Sequence, residues 1–232
     1  RVNKGLKYIP SFQSENSISP TSSFVSDDYF GMLNDANSIY SSSASVDIGI
    51  GRFPARNLTD AKGFVKKVKH YASSQNKMAY NKLEGNDIKS TYGDWKNTIL
   101  FVADDGSNSD GYTVAHMNQT EMIIDAYLDQ DSSFNSRKVY FDAYNKESTA
   151  GGGRYPDVSE AIRITMKEGA FFVSYIGHGG EAGWGDERVL SVSDINAWDN
   201  MNGMPVFVTA TCEFSRYDDP ERTAAGELVI LN

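Results

Sequence analysis

Thr98-Ile99-Leu100-Phe101-Val102-Ala103-Asp104-Asp105-Gly106 is the stretch that decides the fold. An unbroken apolar run stops at two carboxylates and a glycine. A strand with one wet face alternates apolar and polar residues. A run without alternation marks a strand covered on both faces, as in a parallel sheet between helices. The pattern recurs twice. Ala170-Phe171-Phe172-Val173-Ser174-Tyr175-Ile176 ends in Gly177-His178-Gly179-Gly180-Glu181, and Pro205-Val206-Phe207-Val208-Thr209-Ala210 ends in Thr211-Cys212-Glu213. Lys138 to Phe141 supplies a shorter strand.

Helical patterns fill the intervals. One runs from about Thr113 to Asp129, with Met117, Ile124, Ala126 and Leu128 among its apolar residues. A second is capped by Asp157, carries Val158, Ala161, Ile162 and Met166, and closes at Gly169. Ser193 or Asp194 starts a short third, and Thr223 to Leu231 begins a fourth. Gly151-Gly152-Gly153 reads as a flexible or tightly turned loop. Strands alternating with helices predict a three-layer α/β/α fold with a mainly parallel sheet and right-handed crossovers. Ligands bind beyond the carboxyl ends of such strands, near a topological switch point. Those ends carry Asp104 and Asp105, His178, and Cys212, so an acid, a histidine and a cysteine share one edge.

Upstream, Val46-Asp47-Ile48-Gly49-Ile50-Gly51-Arg52-Phe53-Pro54 alternates and then stops at proline, predicting a half-buried strand. Asn57 or Thr59 caps a helix with Ala61, Phe64, Val65, Val68 and Tyr71 at helical spacing. Phe24 to Tyr29 predicts a short strand or turn, and Gly31 to Ser45 a Ser-rich loop. Residues 72–97 are polar and irregular, which predicts a boundary there. The expected organisation is a smaller α/β subdomain over residues 1–96 and a catalytic subdomain over residues 97–232.

The 232 residues carry 22 basic and 31 acidic side chains, a formal charge of −9. Residues 1–97 hold 13 basic and 9 acidic residues, whereas residues 98–232 hold 9 and 22. Such asymmetry fits two subdomains with different roles. A net negative chain without a basic block is a poor partner for nucleic acid. A single cysteine excludes an intrachain disulfide framework and any zinc site built from several thiolates. No His-x-x-x-His or similar spacing points to catalytic zinc, so no metal is expected in the chemistry. Asp27, Asp28, Asp35 and Asp47 are the carboxylates available to a structural calcium ion.

A cysteine nucleophile needs its thiolate, which a neighbouring imidazole generates or stabilises. Adjacent strands about 4.8 Å apart place Cys212 and His178 within reach of each other. Glycines beside His178, Gly179 among them, leave main-chain N–H groups open as oxyanion donors, with the N–H of Cys212 as a second. Either Asp104 or Asp105 serves as a supporting acid or solvates a turn. Glu181 either orients His178 or sits on the rim. His70 and His116 lie on helices without a partner motif and read as structural or surface residues.

An apolar strand ending in His-Gly, followed by one ending in a small residue and Cys, resembles the caspase-like (clan CD) cysteine peptidases. Gly177-His178-Gly179-Gly180-Glu181-Ala182-Gly183-Trp184 is similar to the block around the catalytic histidine of the gingipain (C25) family. Phe24 to Tyr71, with Ser26-Asp27-Asp28-Tyr29-Phe30 and Ile50-Gly51-Arg52-Phe53-Pro54, resembles the upstream gingipain subdomain. Phe207 to Pro220 and Gly151 to Asp157 look closest to the PorU-type sortases of type IX secretion in Bacteroidota. The resemblance implies Cys212 as nucleophile, His178 as its acid/base partner and Asp105, before Gly106, as the third catalytic residue, with Asp104 the alternative. It also implies several partners: exported proteins with C-terminal signal domains, a lipopolysaccharide amine acceptor and an outer-membrane barrel of the PorV kind. The implied location is the surface of a Gram-negative cell. Gingipain-type units extend beyond both ends of this chain, so the resemblance implies an incomplete catalytic unit. Two other readings stay open: a non-catalytic binding or structural module with the same fold, and a secreted gingipain-like protease.

Overall fold

A computed structural model defines residues 9–14, 23–34, 39, 45–73, 93–106, 114–128, 133–219 and 221–232. The chain divides into two compact units, Arg1–Pro54 with Asp218–Pro220, and Ala55–Tyr217 with Glu221–Asn232. The division falls at Pro54, and residues 74–92 of the expected boundary segment lie outside the described residues.

In the first unit, β1 (Phe12–Gln13) and β2 (Val25–Ser26) pair antiparallel, and a single 3₁₀ turn follows at Asp28–Gly31. Phe12 stacks on Tyr29 with ring centroids 4.9 Å apart. Arg52 grips Asp27 in a two-pronged ion pair, Nε to Oδ2 at 2.7 Å and Nη2 to Oδ1 at 2.6 Å. The strand expected over Val46 to Pro54 is absent. Its alternation has no ladder partner among the described residues. The N–H of Asp47 bonds instead to the Gly31 carbonyl at 2.8 Å, and Val46, Ile48 and Ile50 remain exposed.

The second unit opens with α1 (Leu58–Ser73). Asn57 caps it as expected, its Oδ1 accepting the N–H of Thr59 at 2.8 Å and of Asp60 at 3.0 Å. The apolar stripe is only partly covered, because Val65 and Val68 are exposed. Then come β3 (Thr98–Ala103), α2 (Ala115–Ile123) with a π-helical turn at Ile124–Leu128, and β4 (Asn135–Tyr140). A hairpin of β5 (Glu147–Thr149) and β6 (Gly152–Arg154) occupies the segment read as a glycine loop. Its tight turn falls at Ala150 and Gly151, and neither Glu-Ser-Thr nor Gly-Gly-Arg carries an apolar pattern that would mark a strand.

α3 (Pro156–Glu168) begins one residue earlier than its expected cap. Asp157 lies in the first turn, where a carboxylate favours the helix N-terminus. The N–H of Gly169 closes the helix on the Thr165 carbonyl at 2.8 Å. β7 (Phe172–Ile176) leads into a small antiparallel sheet of β8 (Gly179–Gly180), β9 (Gly183–Trp184) and β10 (Leu190–Ser191). α4 (Val192–Asn196) starts earlier than expected because Ser191, not Ser193 or Asp194, is its cap. Ser191 and Asp194 form a reciprocal capping box. β11 (Val206–Ala210) and α5 (Ala225–Leu231) complete the unit.

The central sheet is parallel with strand order β11-β7-β3-β4. From β3 the chain moves outward to β4, returns to β7, and moves outward again to β11. The switch point therefore lies between β3 and β7. Ile99 and Phe101 face Ile124, Leu128 and Phe134 on one side. Leu100 and Val102 join Val173, Tyr175 and the α3 residues Val158, Ile162 and Met166 on the other. This is the expected three-layer arrangement. The expectation of two-sided burial fails for β11, the sheet edge, where Val206 and Val208 are exposed. Among the described residues, no helix is long and apolar enough to cross a membrane.

Replacing Leu100, fully buried at the sheet centre, tests this assignment of faces. Leu100→Ala is expected to lower unfolding stability by about 2–5 kcal/mol. Val208→Ala on the exposed edge should stay within about 0.5 kcal/mol in the same denaturant titration.

Candidate active site

The ladder register puts Ala103 and Ala210 beside Ile176, so the residues after β3, β7 and β11 emerge together. The pairing continues past the strands. The N–H of Asp104 bonds to the Ile176 carbonyl at 3.1 Å, and the N–H of Gly177 to the Ala210 carbonyl at 3.3 Å.

Asp104 is buried at this switch point. Its Oδ1 accepts the Asp105 N–H at 2.9 Å and its Oδ2 the His178 N–H at 2.7 Å. The Tyr175 hydroxyl donates to the His178 carbonyl at 2.5 Å and lies 3.3 Å from Asp104 Oδ2. Burial pushes the Tyr175 hydroxyl up, so it keeps its one proton. That hydroxyl faces both acceptors, the His178 carbonyl at the shorter distance and the Asp104 carboxylate at the longer. Burial first, opposed by the His178 N–H and helped by the charges of Asp105 and Glu187, pushes Asp104 up to about 7.

Asp105 has different partners. Its Oδ2 accepts from Lys146 Nζ at 2.9 Å and from the Tyr155 hydroxyl at 2.8 Å, and Lys146 also pairs with Glu187 at 2.6 Å. Burial works against the charge of Asp105, but the bonds from Lys146 and Tyr155 outweigh it and hold the carboxyl low. The structure thus brings Asp104 to the His178 main chain and ties Asp105 to the β5–β6 side. The resemblance pointed to Asp105 first.

Close approach explains the glycines of the histidine block. A Cβ on Gly177 would lie 2.3 Å from the Cβ of Asp104, and one on Gly179 would lie 2.4 Å from Thr211 Oγ1. Gly180 faces open space. The histidine loop and the cysteine loop therefore touch, main chain against side chain. Among the described residues the buried Thr211 hydroxyl has no hydrogen-bond partner. Cys212, the next residue, is exposed, and Glu213 after it adopts φ 52°, a left-handed conformation. In a residue other than glycine that costs about 1–2 kcal/mol. Glu181 pairs with Arg216 at 3.4 Å and with Arg222 at 2.9 Å, both beyond the cysteine, and its carbonyl accepts the Ala225 N–H at 2.8 Å. Glu181 therefore joins the two loops.

His116 reaches the site although its sequence context gave no sign of it. Its ring meets His178 edge to face at 5.3 Å. Topology held the clue: His116 is in the first turn of α2, and a helix that follows a strand starts at that strand's carboxyl end. His70, on α1, bonds Asn202 through Nε2 at 2.9 Å. Of the carboxylates available to calcium, Asp27 is held by Arg52, while Asp47 accepts the Leu33 N–H at 2.7 Å and the Asn34 amide at 3.2 Å. Asp35 lies outside the described residues. A cavity of about 730 Å³ is lined by α3 and α4 residues, and one of about 640 Å³ lies between α1, α5 and β11 and reaches Phe214 and Ser215 just after Cys212.

The loop contacts are testable by substitution. Gly179→Ala should destabilise by about 1–3 kcal/mol through overpacking against Thr211. Gly180→Ala should change unfolding stability by less than about 0.5 kcal/mol. Asp104→Ala, which strips two main-chain N–H groups of their acceptor, is expected to cost about 2–5 kcal/mol by denaturant midpoint.

Comparison with known proteins agrees with this architecture. The family model of peptidase family C25 matches residues 2–232. No curated protein matches. The Arg-specific cysteine proteinase gingipain R (RgpB) superposes with TM-score 0.63 and 18% identity, over 89% of this chain and 40% of that one. The complex of Porphyromonas gingivalis RgpB pro- and mature domains gives 0.62 and 18%, over 90% and 41%. A further protease structure gives 0.53 and 15%, over 76% and 32%. The chain thus spans about two fifths of the gingipain chains it matches, and at these identities the likeness is one of fold. Taken with the family match along nearly its whole length, the caspase-like sheet and its histidine and cysteine loops make this chain a member of peptidase family C25.

Proposed function

We propose that Cys212 and His178 are the nucleophile and the acid/base of a cysteine peptidase, and that its physiological reaction is sortase-type transpeptidation. One observation carries this reading. The two residues stand on loops that leave neighbouring parallel strands in register, pressed together at Gly179 and Thr211. The thiolate of Cys212 attacks the scissile carbonyl carbon, and the tetrahedral oxyanion faces main-chain N–H groups, Gly179 and Cys212 being the candidate donors. On collapse the C–N bond breaks, and His178 delivers a proton to the leaving amine. A thioester remains on Cys212. An incoming amine then attacks it, His178 accepts the amine's proton, the C–S bond breaks and the thiolate returns. Water in place of the amine gives plain hydrolysis. Asp104 supports the histidine loop through its main chain rather than taking part in bond making.

The finer reading rests on the Phe207 to Pro220 and Gly151 to Asp157 blocks. In it the substrate is a type IX cargo protein whose C-terminal signal is removed. The acceptor is a lipopolysaccharide amine, and a PorV-like barrel holds the enzyme at the outer-membrane surface. An exposed Cys212 on an open edge suits a polypeptide substrate better than a small molecule, which calls for an enclosing pocket.

The test uses the full-length protein with a cargo bearing a labelled C-terminal signal and an amine acceptor. Wild type should release the signal and form the cargo–acceptor amide. Cys212→Ala and His178→Ala should each slow release by about 10³-fold or more. Acid product without amide would reduce the reading to a hydrolytic peptidase. Undiminished release by Cys212→Ala would overturn it.

A further inference from the structure

His116 adds a donor that the peptidase reading does not use. One ligand atom each from Asp104, His116 and His178 lies within 4.8 Å of the other two. The three come from different parts of the fold: the end of β3, the first turn of α2 and the loop after β7. They meet only because the switch point opens a gap between those strands. We propose that Asp104, His116 and His178 form a binding site for a divalent transition metal of the zinc class, and that the bound ion holds His178 out of peptide chemistry. The regulatory half of this inference rests on the function proposed above; the metal site itself does not.

The donor set selects the metal class. Two imidazoles and one carboxylate suit zinc and its neighbours, whereas calcium and magnesium take oxygen ligands. Zinc bonds of about 2.0–2.2 Å in a tetrahedron place ligand atoms roughly 3.4 Å apart. Small rotations of the side chains, within the 4.8 Å spread, close that distance. Asp104 is already oriented by the N–H groups of Asp105 and His178, the kind of outer-shell hydrogen bonding that positions a metal ligand. Asp104 is buried, His116 half-buried and His178 exposed, which leaves a fourth coordination position facing solvent. A second cluster, Asp104 with Asp105 and Glu187, is a poorer candidate. It lacks imidazole, and the ammonium of Lys146 already pairs with both Asp105 and Glu187. With an ion on its ring nitrogen, His178 can neither take a proton from Cys212 nor return one to a leaving amine.

Binding is measured directly, so the result stands whether or not the chain turns over a peptide. The metal-stripped protein is titrated with ZnCl₂ against a chromophoric chelator, and with Co²⁺ for its visible d–d bands. Wild type should take one ion per chain with high-intensity, low-coordinate cobalt bands. His116→Ala and His116→Gln should each weaken zinc binding by at least about tenfold. Cys212→Ala should bind as wild type does. Unchanged affinity in both His116 variants would overturn the site. Loss of binding in Cys212→Ala would also overturn it, by moving the ion to the thiol. Where peptide turnover is measurable, the zinc concentration that halves it should rise by the same factor in His116→Ala. Equal inhibition of the two proteins would overturn the regulatory role alone.

Discussion

The histidine side of the site depends on the buried carboxylate of Asp104. Burying a carboxylate is unfavourable unless hydrogen bonds replace the water it loses. Here they come from two main-chain N–H groups, one on each side of the switch point. The residue that ends β3 therefore fixes where the loop after β7 begins. Tyr175 completes the arrangement from the core side by holding the carbonyl of the same histidine, and it stacks on Trp184 at 4.3 Å. His178 is exposed, yet its main chain is bound at both its N–H and its carbonyl.

The cysteine side is held by contact and by charge. Gly179 leaves room for Thr211 and for no larger approach, which sets the separation of the two loops. Glu181 and Arg216 span them with an ion pair in which both partners are largely shielded from solvent. The strained backbone of Glu213 turns the chain sharply just after Cys212. Strain of this kind persists only where the surroundings enforce it, and it is common at functional turns. The thiol of Cys212 is therefore exposed on an enforced turn just past the edge strand of the sheet.

Much of this was legible in the sequence, and the exceptions have physical causes. β3 and β7 announced themselves as apolar runs because both lie inside the sheet. β11 looked the same but lies at the edge, since apolar content does not say which neighbour is missing. Alternation at Val46 to Pro54 predicted a strand, but a ladder needs a partner, and Asp47 bonds Gly31 instead. The β5–β6 hairpin is built from residues without an apolar pattern. That Cys212 and His178 emerge at the same sheet edge could be read from their place after apolar runs. Asp104 and Asp105 could not be told apart, because neighbours in sequence differ here only in which partners the tertiary fold gives them. The nearness of His116 to His178 is not legible, because it depends on where α2 starts in space.

The proposed function requires the Cys212 thiol and the His178 imidazole to work as a pair. The most direct measurement is the rate of Cys212 alkylation by iodoacetamide near pH 6.5, in wild type and in His178→Ala. Because alkylation needs the thiolate, an effective pair should make the wild-type reaction at least about tenfold faster than that of the variant. Equal rates in the two proteins, at the level of an ordinary exposed thiol, would contradict it.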